Sequence, residues 1–272
     1  MIIDFHTHTF PDAIAEKTIA YLSEKGGITP CRDGTLGSLT ETMRQSGTDY
    51  SVSLPIATLP RQERTINQTS AQLNGKNNVF FAGAIHPDCA DVDATLDYIR
   101  DSGLFGVKFH PDYQGVHFDD PRYINIMRKA FERGLYVITH AGFDPAFPDH
   151  IHCTPNMVLN VLDELRGEAD DKLILAHLGG CFMPGEVLKK LIGAPVYMDT
   201  AAVLSHDPEK SREIITRHGA DRILFASDSP WFSQREYIEI IRSYGFSKED
   251  EDKIFYKNAC KILKIKTGSA SC

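Results

Sequence analysis

A closed (β/α)8 barrel, the TIM-barrel form of an α/β protein, is the fold this sequence predicts, and three observations predict it. First, eight short apolar runs, at 2–8, 50–56, 79–86, 105–110, 135–140, 173–177, 195–200 and 223–228, alternate with amphipathic stretches. Repeated strand-then-helix units make a parallel sheet, and eight of them close into a barrel. Second, 272 residues suit one such barrel. Third, six of the eleven histidines (His6, His8, His86, His110, His140 and His177) fall at C-terminal strand ends. That end is the working face of a barrel. An open doubly wound sheet is the rival, but the first strand-to-helix turn, Thr7-His8-Thr9-Phe10-Pro11, has no glycine-rich phosphate loop.

The first strand starts at once, in Met1-Ile2-Ile3-Asp4, and delivers His6 and His8. Residues two apart on a strand point to one face, so the two imidazoles stand side by side. The fifth, sixth and eighth runs end in Thr139-His140, Ala176-His177 and Ser227-Asp228. Helical patterns span Pro121 to Arg133, Pro155 to Leu165, Pro208 to His218 and Gln234 to Tyr244. Three begin on proline, whose missing N–H does no harm in a first turn. Gly134 and Gly245 sit just past helix ends, where a left-handed cap belongs. No linker divides the chain, so residues 1–265 are read as one barrel domain and 266–272 as a polar, frayed tail.

A hydrophobic content of 42% supports a sizeable core, and a net charge of −8 argues against nucleic acid or anionic membrane as the main partner. No apolar run approaches the ~18 residues of a membrane span. The N-terminus lacks the basic and apolar regions of an export signal, so a cytoplasmic location is expected. The six cysteines are scattered without a C-x-x-C pair, which argues against both a disulfide framework and a cysteine zinc cage. Cys153 and Cys181 are read as ordinary thiols in loops.

Neutral imidazole and carboxylate oxygen are the ligands zinc and similar divalent ions take, with a position left open for water in catalytic sites. His6, His8, His140 and Asp228 supply four such groups from strands one, five and eight. Strands one and eight are neighbours in a closed barrel, so Asp228 can meet the histidine pair directly.

With these residues in place the chain resembles the amidohydrolase superfamily, in the branch that contains aminocarboxymuconate-semialdehyde decarboxylase. The resemblance rests on His6-Thr7-His8, Thr139-His140, Ala176-His177-Leu178-Gly179-Gly180, Ser227-Asp228-Ser229-Pro230-Trp231 and the closing Asn258-Ala259-Cys260-Lys261-Ile262-Leu263. It implies a metallo-dependent hydrolase barrel with His6, His8, His140 and Asp228 as ligands of a divalent metal, zinc by expectation. It implies catalytic roles for Asp228, which moves a proton, and for His177, which stands beside the metal-bound water or a substrate oxygen. Lys108, in Gly106-Val107-Lys108-Phe109-His110, is the complication. Binuclear members carry a carboxylated lysine on that strand. A carboxylated Lys108 implies two ions, with His140 and His177 on the second. An unmodified Lys108 leaves one ion and contacts a substrate or a nearby acid.

Other residues are open between site and scaffold. Lys108 and His110 share strand parity, so both can point into the mouth. His86, Asp199 and Thr200 are read as site-lining or as satisfied polar groups. His150 and His152 lie in a long loop, with Phe143 and Phe147, that could cover the site. Arg61 is a candidate anchor for an anionic substrate, as is Arg64, and Trp231 a candidate pocket floor. The expected activity is hydrolysis of a small polar, carboxylated amide, ester or lactone. The alternatives are non-oxidative decarboxylation of an unsaturated or aromatic acid, and a non-catalytic metal or small-molecule binding protein. A deoxyribonuclease is disfavoured by the acidic charge and by Lys108. The partner is a small molecule. Dimers are common in the branch, though no self-complementary apolar stripe is visible.

Overall fold

Strand formation follows the apolar runs, and each strand is shorter than its run. The computed structural model describes residues 1–266, so the expected tail lies outside the described residues from 267 onward. The strands are β1 (Ile3–Thr7), β2 (Tyr50–Ser53), β3 (Val79–Phe81), β4 (Gly83–Ala84), β5 (Gly106–Phe109), β6 (Tyr136–Thr139), β7 (Leu173–Leu175), β8 (Tyr197–Asp199) and β9 (Ile223–Leu224). All paired neighbours run parallel. The run at 79–86 makes two pieces where one strand is expected. β3 pairs with β2, β4 pairs with β5, and the break falls at Ala82. Ala82 N–H still donates to the Ser53 carbonyl at 3.1 Å, so the two pieces form one stave.

The barrel closes between β1 and the segment after β9. Phe5 N–H donates to Phe225 O at 2.8 Å, Asp228 N–H to His6 O at 2.9 Å, and His8 N–H to Ser229 O at 2.7 Å. The ring of backbone bonds therefore ends at the predicted metal ligands.

Around the staves run α1 (Asp12–Gly26), α2 (Leu36–Ser46), α3 (Glu63–Leu73), α4 (Val92–Asp101), α5 (Pro111–Gln114), α6 (Pro121–Glu132), α7 (Pro155–Leu165), α8 (Pro184–Lys190), α9 (Pro208–His218), α10 (Gln234–Ser243), α11 (Lys248–Asp252) and α12 (Asn258–Leu263). The Pro-initiated helices start where the sequence places them, and Gly134 and Gly245 take positive φ. Among the described residues no helix is long and apolar enough to cross a membrane.

Side chains sort by strand parity. Ile3, Phe5, Val52, Leu54, Ile138, Ile174 and Leu224 fill the barrel interior, and Ala259 and Ile262 of α12 pack against them. Val107, Phe109, Val137, Leu173, Leu175 and Phe225 face the helices. Gly106 lies where the Tyr136 backbone of β6 passes close beside β5. A Cβ there would stand 2.3 Å from the Tyr136 carbonyl oxygen. Gly106→Ala is expected to cost about 2–3 kcal/mol of unfolding free energy, since the strand backbone must shift to admit it. Urea denaturation measures this, and a loss below about 0.5 kcal/mol, the scale of an inert substitution, contradicts the close approach.

Candidate metal centre

Local backbone geometry decides which residues of β1 enter the site. Ile3 and Phe5 face the interior, so strict alternation would turn His6 and His8 outward. The pairing with β2 shifts register between Asp4 and Thr7, where three residue steps on β1 answer two on β2. Such a bulge re-aims the side chains beyond it. Beyond it His6 and His8 meet in the mouth, at the end of a strand whose five residues are all buried.

Three ligand atoms converge there. His6 Nε2 and His8 Nε2 are 3.2 Å apart. Asp228 Oδ1 lies 3.5 Å from the first and 3.2 Å from the second. The tautomers follow from the opposite ring edges. His8 Nδ1 stands 3.1 Å from the Leu54 carbonyl, which only accepts, so His8 carries its proton on Nδ1. His6 Nδ1 donates to Asp199 Oδ2 at 2.8 Å. Both Nε2 atoms therefore point lone pairs at each other and at a carboxylate oxygen that has no hydrogen-bond donor. Mutual repulsion among three acceptors, His6 and Asp228 buried and His8 partly so, is relieved by a cation at their centre. Ligand atoms about 3.4 Å apart are what a tetrahedral ion at 2.0–2.1 Å demands, so these residues fit a divalent metal.

Asp199 organises the surroundings. Besides His6, it accepts the backbone N–H of His177 at 2.9 Å and of Ala201 at 3.0 Å. His177 takes φ +58 and Asp228 φ +71, left-handed values that non-glycine residues rarely hold. Those backbone bonds help hold His177 in place, as Asp228 N–H to His6 O does for Asp228. His177 Nδ1 donates to Ala201 O at 3.0 Å, which leaves its Nε2 to accept from His140 Nδ1 at 2.9 Å. His140 thus stands next to the triad with its Nε2 buried and unpartnered, 3.8 Å from Asp112 Oδ2.

Burial holds His6 and His140 well below the usual imidazole range, helped by Lys108 at His6 and by His110 at His140. His177 is lowered by burial too. Neutral imidazoles are the ligand form. Lys108 reaches into the interior, its Nζ 3.5 Å from His6 Nε2. Burial lowers its ammonium to about 8, against the pull of Asp199 and Asp228. Between about 8 and the ordinary 10.5 the unfolded chain holds a proton the folded chain has released, so Lys108's contribution to stability rises with pH. In metal-free protein the stability gap between the chain and Lys108→Met is expected to change by up to about 3 kcal/mol across that window. Urea titrations at several pH values read it; a gap independent of pH contradicts the assignment.

Of the other candidates, His110 lies in the site, its ring stacked on His140 with centroids 4.3 Å apart. His86 is a loop cap: its Nδ1 accepts from Asp88 N–H at 3.0 Å. Thr200 is a satisfied polar group that joins β8 to Ala226. Arg61 is exposed on the turn Pro60–Gln62, and Arg64 is exposed on α3, so neither joins the cluster. Trp231 is half-buried and tied to the site by its backbone N–H, which donates to Asp228 O at 2.9 Å. His150 is exposed, whereas His152 Nδ1 holds Asp112 Oδ1 at 2.9 Å. Asp112 and Asp144 escaped the sequence reading. Their signal is spacing: Asp112 follows His110 by two residues and Asp144 follows His140 by four.

Fold and site define a class, the parallel (β/α)8 barrels that gather histidines and aspartates at the C-terminal strand ends. Within it, the chain belongs to the amidohydrolase family: the family model described as Amidohydrolase (Amidohydro_2) matches residues 3–265. No curated protein matches in sequence. Among solved structures, an uncharacterized TIM-barrel protein from Bordetella bronchiseptica is 19% identical, with 97% of this chain and 98% of that one covered and a TM-score of 0.74. A 2,6-dihydroxybenzoate decarboxylase from Rhizobium is 16% identical over 97% and 98% of the chains, TM-score 0.71. A candidate 2-pyrone-4,6-dicarboxylic acid hydrolase from Pseudomonas putida is 18% identical over 97% of each, TM-score 0.66. At these identities the likeness concerns the fold.

Proposed function

We propose that the chain is a metal-dependent hydrolase of a small polar amide, ester or lactone. The observation that carries this reading is the convergence of His6 Nε2, His8 Nε2 and Asp228 Oδ1 with both imidazole tautomers fixed from behind. Those three residues would hold the ion, zinc by their chemistry, with His140 as the fourth ligand that the family resemblance implies. A bound divalent ion supplies a water of lowered pKa and a polarised carbonyl.

The chain's own residues do the rest. Asp199 fixes the His6 tautomer and, through two backbone bonds, the His177 turn. Asp228 is the anionic group placed to take a proton from the attacking water and return it to the leaving group. His177 spends its proton on Ala201 O and accepts from His140 at Nε2 in this arrangement, so it donates to a substrate oxygen only once Nε2 is both released by His140 and protonated. A His177→Asn variant that keeps metal and full activity removes that role. Lys108 sets the charge behind His6.

Turnover of amide, ester and lactone panels by chelator-stripped and metal-reconstituted protein tests the reading. Hydrolysis restored by metal is expected. Release of CO2 from unsaturated or aromatic acids without hydrolysis, or no turnover with metal bound, overturns it.

A further inference from the structure

Three of the strand ends that carry site residues also carry a phenylalanine a few residues on. Phe143 follows His140 by three residues, Phe182 follows His177 by five and Phe232 follows Asp228 by four. A chain extends at most ~3.6 Å per residue, so such short separations keep each phenylalanine close to the mouth. The backbone sets the first two beside each other. Past β6 and β7 an isolated parallel bridge joins Gly142 to Cys181, and Phe143 N–H donates to Cys181 O at 3.0 Å. Only glycine fits that crossing, because a Cβ on Gly142 would stand 2.1 Å from Cys181 N. Phe143 and Phe182 leave the bridge as neighbours.

The rings form a row. Phe143 meets Phe182 edge-on with centroids 5.8 Å apart. Phe182 meets His206 at 4.8 Å, and His206 meets Phe232 edge-on at 5.8 Å. Phe232 packs in turn on buried Tyr237 at 5.5 Å, which ties that end of the row to the core. The four rings come from the segments after β6, β7, β8 and β9, so the row follows the rim of the mouth on that side. Packing does not explain its middle. Phe182 is 53% exposed, the only exposed phenylalanine among the described residues. Its φ of +56 is a left-handed value that suits glycine and that a bulky residue rarely holds. Strained backbone gathers at working sites, and apolar surface left open beside a cleft marks a contact made with something else.

We propose that Phe143, Phe182, His206 and Phe232 form a rim subsite for a flat, apolar group of the substrate, with Phe182 as the residue that determines specificity for it. The proposal rests on the triad being the reaction centre. It adds a flat tail, held at the rim, to the polar head whose bond is cleaved further in. With more than half of its surface open, Phe182 has room to take such a group against its ring. Offset-stacked and edge-on aromatic pairs gain more than their buried area alone, which favours a flat group over a puckered one of equal size.

Calorimetric titration of the zinc-reconstituted full chain with acetohydroxamate, phenylbutyrohydroxamate and cyclohexylbutyrohydroxamate tests this. The three share a zinc-binding head and differ in the tail. The phenyl tail is expected to tighten binding by about tenfold over acetohydroxamate and to outbind the cyclohexyl tail. Phe182→Ala is expected to erase most of that gain while acetohydroxamate affinity holds. Phe182→Leu, which keeps apolar bulk without a flat ring, is expected to erase the preference for phenyl over cyclohexyl. A phenyl gain that survives Phe182→Ala in full, or no phenyl gain in the unsubstituted chain, overturns the proposal. So does a dimer of the unsubstituted chain that Phe182→Ala takes apart, because the ring then meets a second copy. Failure of the triad reading shows separately, as a chain that takes up no zinc before any probe is added, and it removes the subsite with it.

Discussion

Replacing Asp228 by asparagine is expected to lower kcat/KM by roughly 10³-fold, within the range attributed to a positioned general acid–base. The amide oxygen still offers one lone pair to the ion, so metal content is expected to fall far less than activity. The contrast is informative. A residue that only holds metal loses both together, whereas a residue that also moves a proton loses activity in metal-loaded protein. Steady-state kinetics alongside elemental analysis separates the two. Activity tracking metal occupancy one for one assigns Asp228 to ligation alone.

Asp199→Asn is expected to weaken metal binding by roughly 10- to 100-fold, although Asp199 touches no ion in this account. The cause is a tautomer. Asp199 Oδ2 accepts from His6 Nδ1, and an asparagine NH2 in that place presents a donor to a donor. His6 then moves its proton to Nε2 and loses the lone pair that joins the triad. The Oδ1 contacts to His177 and Ala201 survive in asparagine, so the fold is expected to hold. Circular dichroism and a zinc competition titration measure both halves. Unchanged affinity contradicts the tautomer argument.

Much of this molecule was legible in the sequence because barrel units repeat one local rule. Apolar runs, proline-led helices and caps such as Gly134 each report their own element. The pairing of His6 with His8 was legible from strand parity, and the approach of Asp228 from barrel closure. What the sequence did not show depends on contacts between distant segments. The β1 bulge that brings His6 and His8 into the mouth is set by pairing with β2. The break at Ala82 reflects a stave shared between two neighbours. Asp199 was legible only as a polar residue, because its partner His6 lies 193 positions away. Asp112 and Asp144 looked like ordinary loop aspartates until the loop after β6 folded back over α5. Arg61 shows the converse: a suitable residue type, near a strand end in sequence, left on the outer surface.

The most direct test of the central claim is the metal content of the chain purified without added metal, measured per polypeptide by elemental analysis beside His6→Ala. The account requires about one divalent ion, zinc by its ligands, in the unsubstituted chain and a loss of most of it in the variant. Two ions in the unsubstituted chain make a carboxylated Lys108 the leading assignment. Metal absent from the unsubstituted chain even after reconstitution, or retained in full by His6→Ala, contradicts the triad as a metal centre.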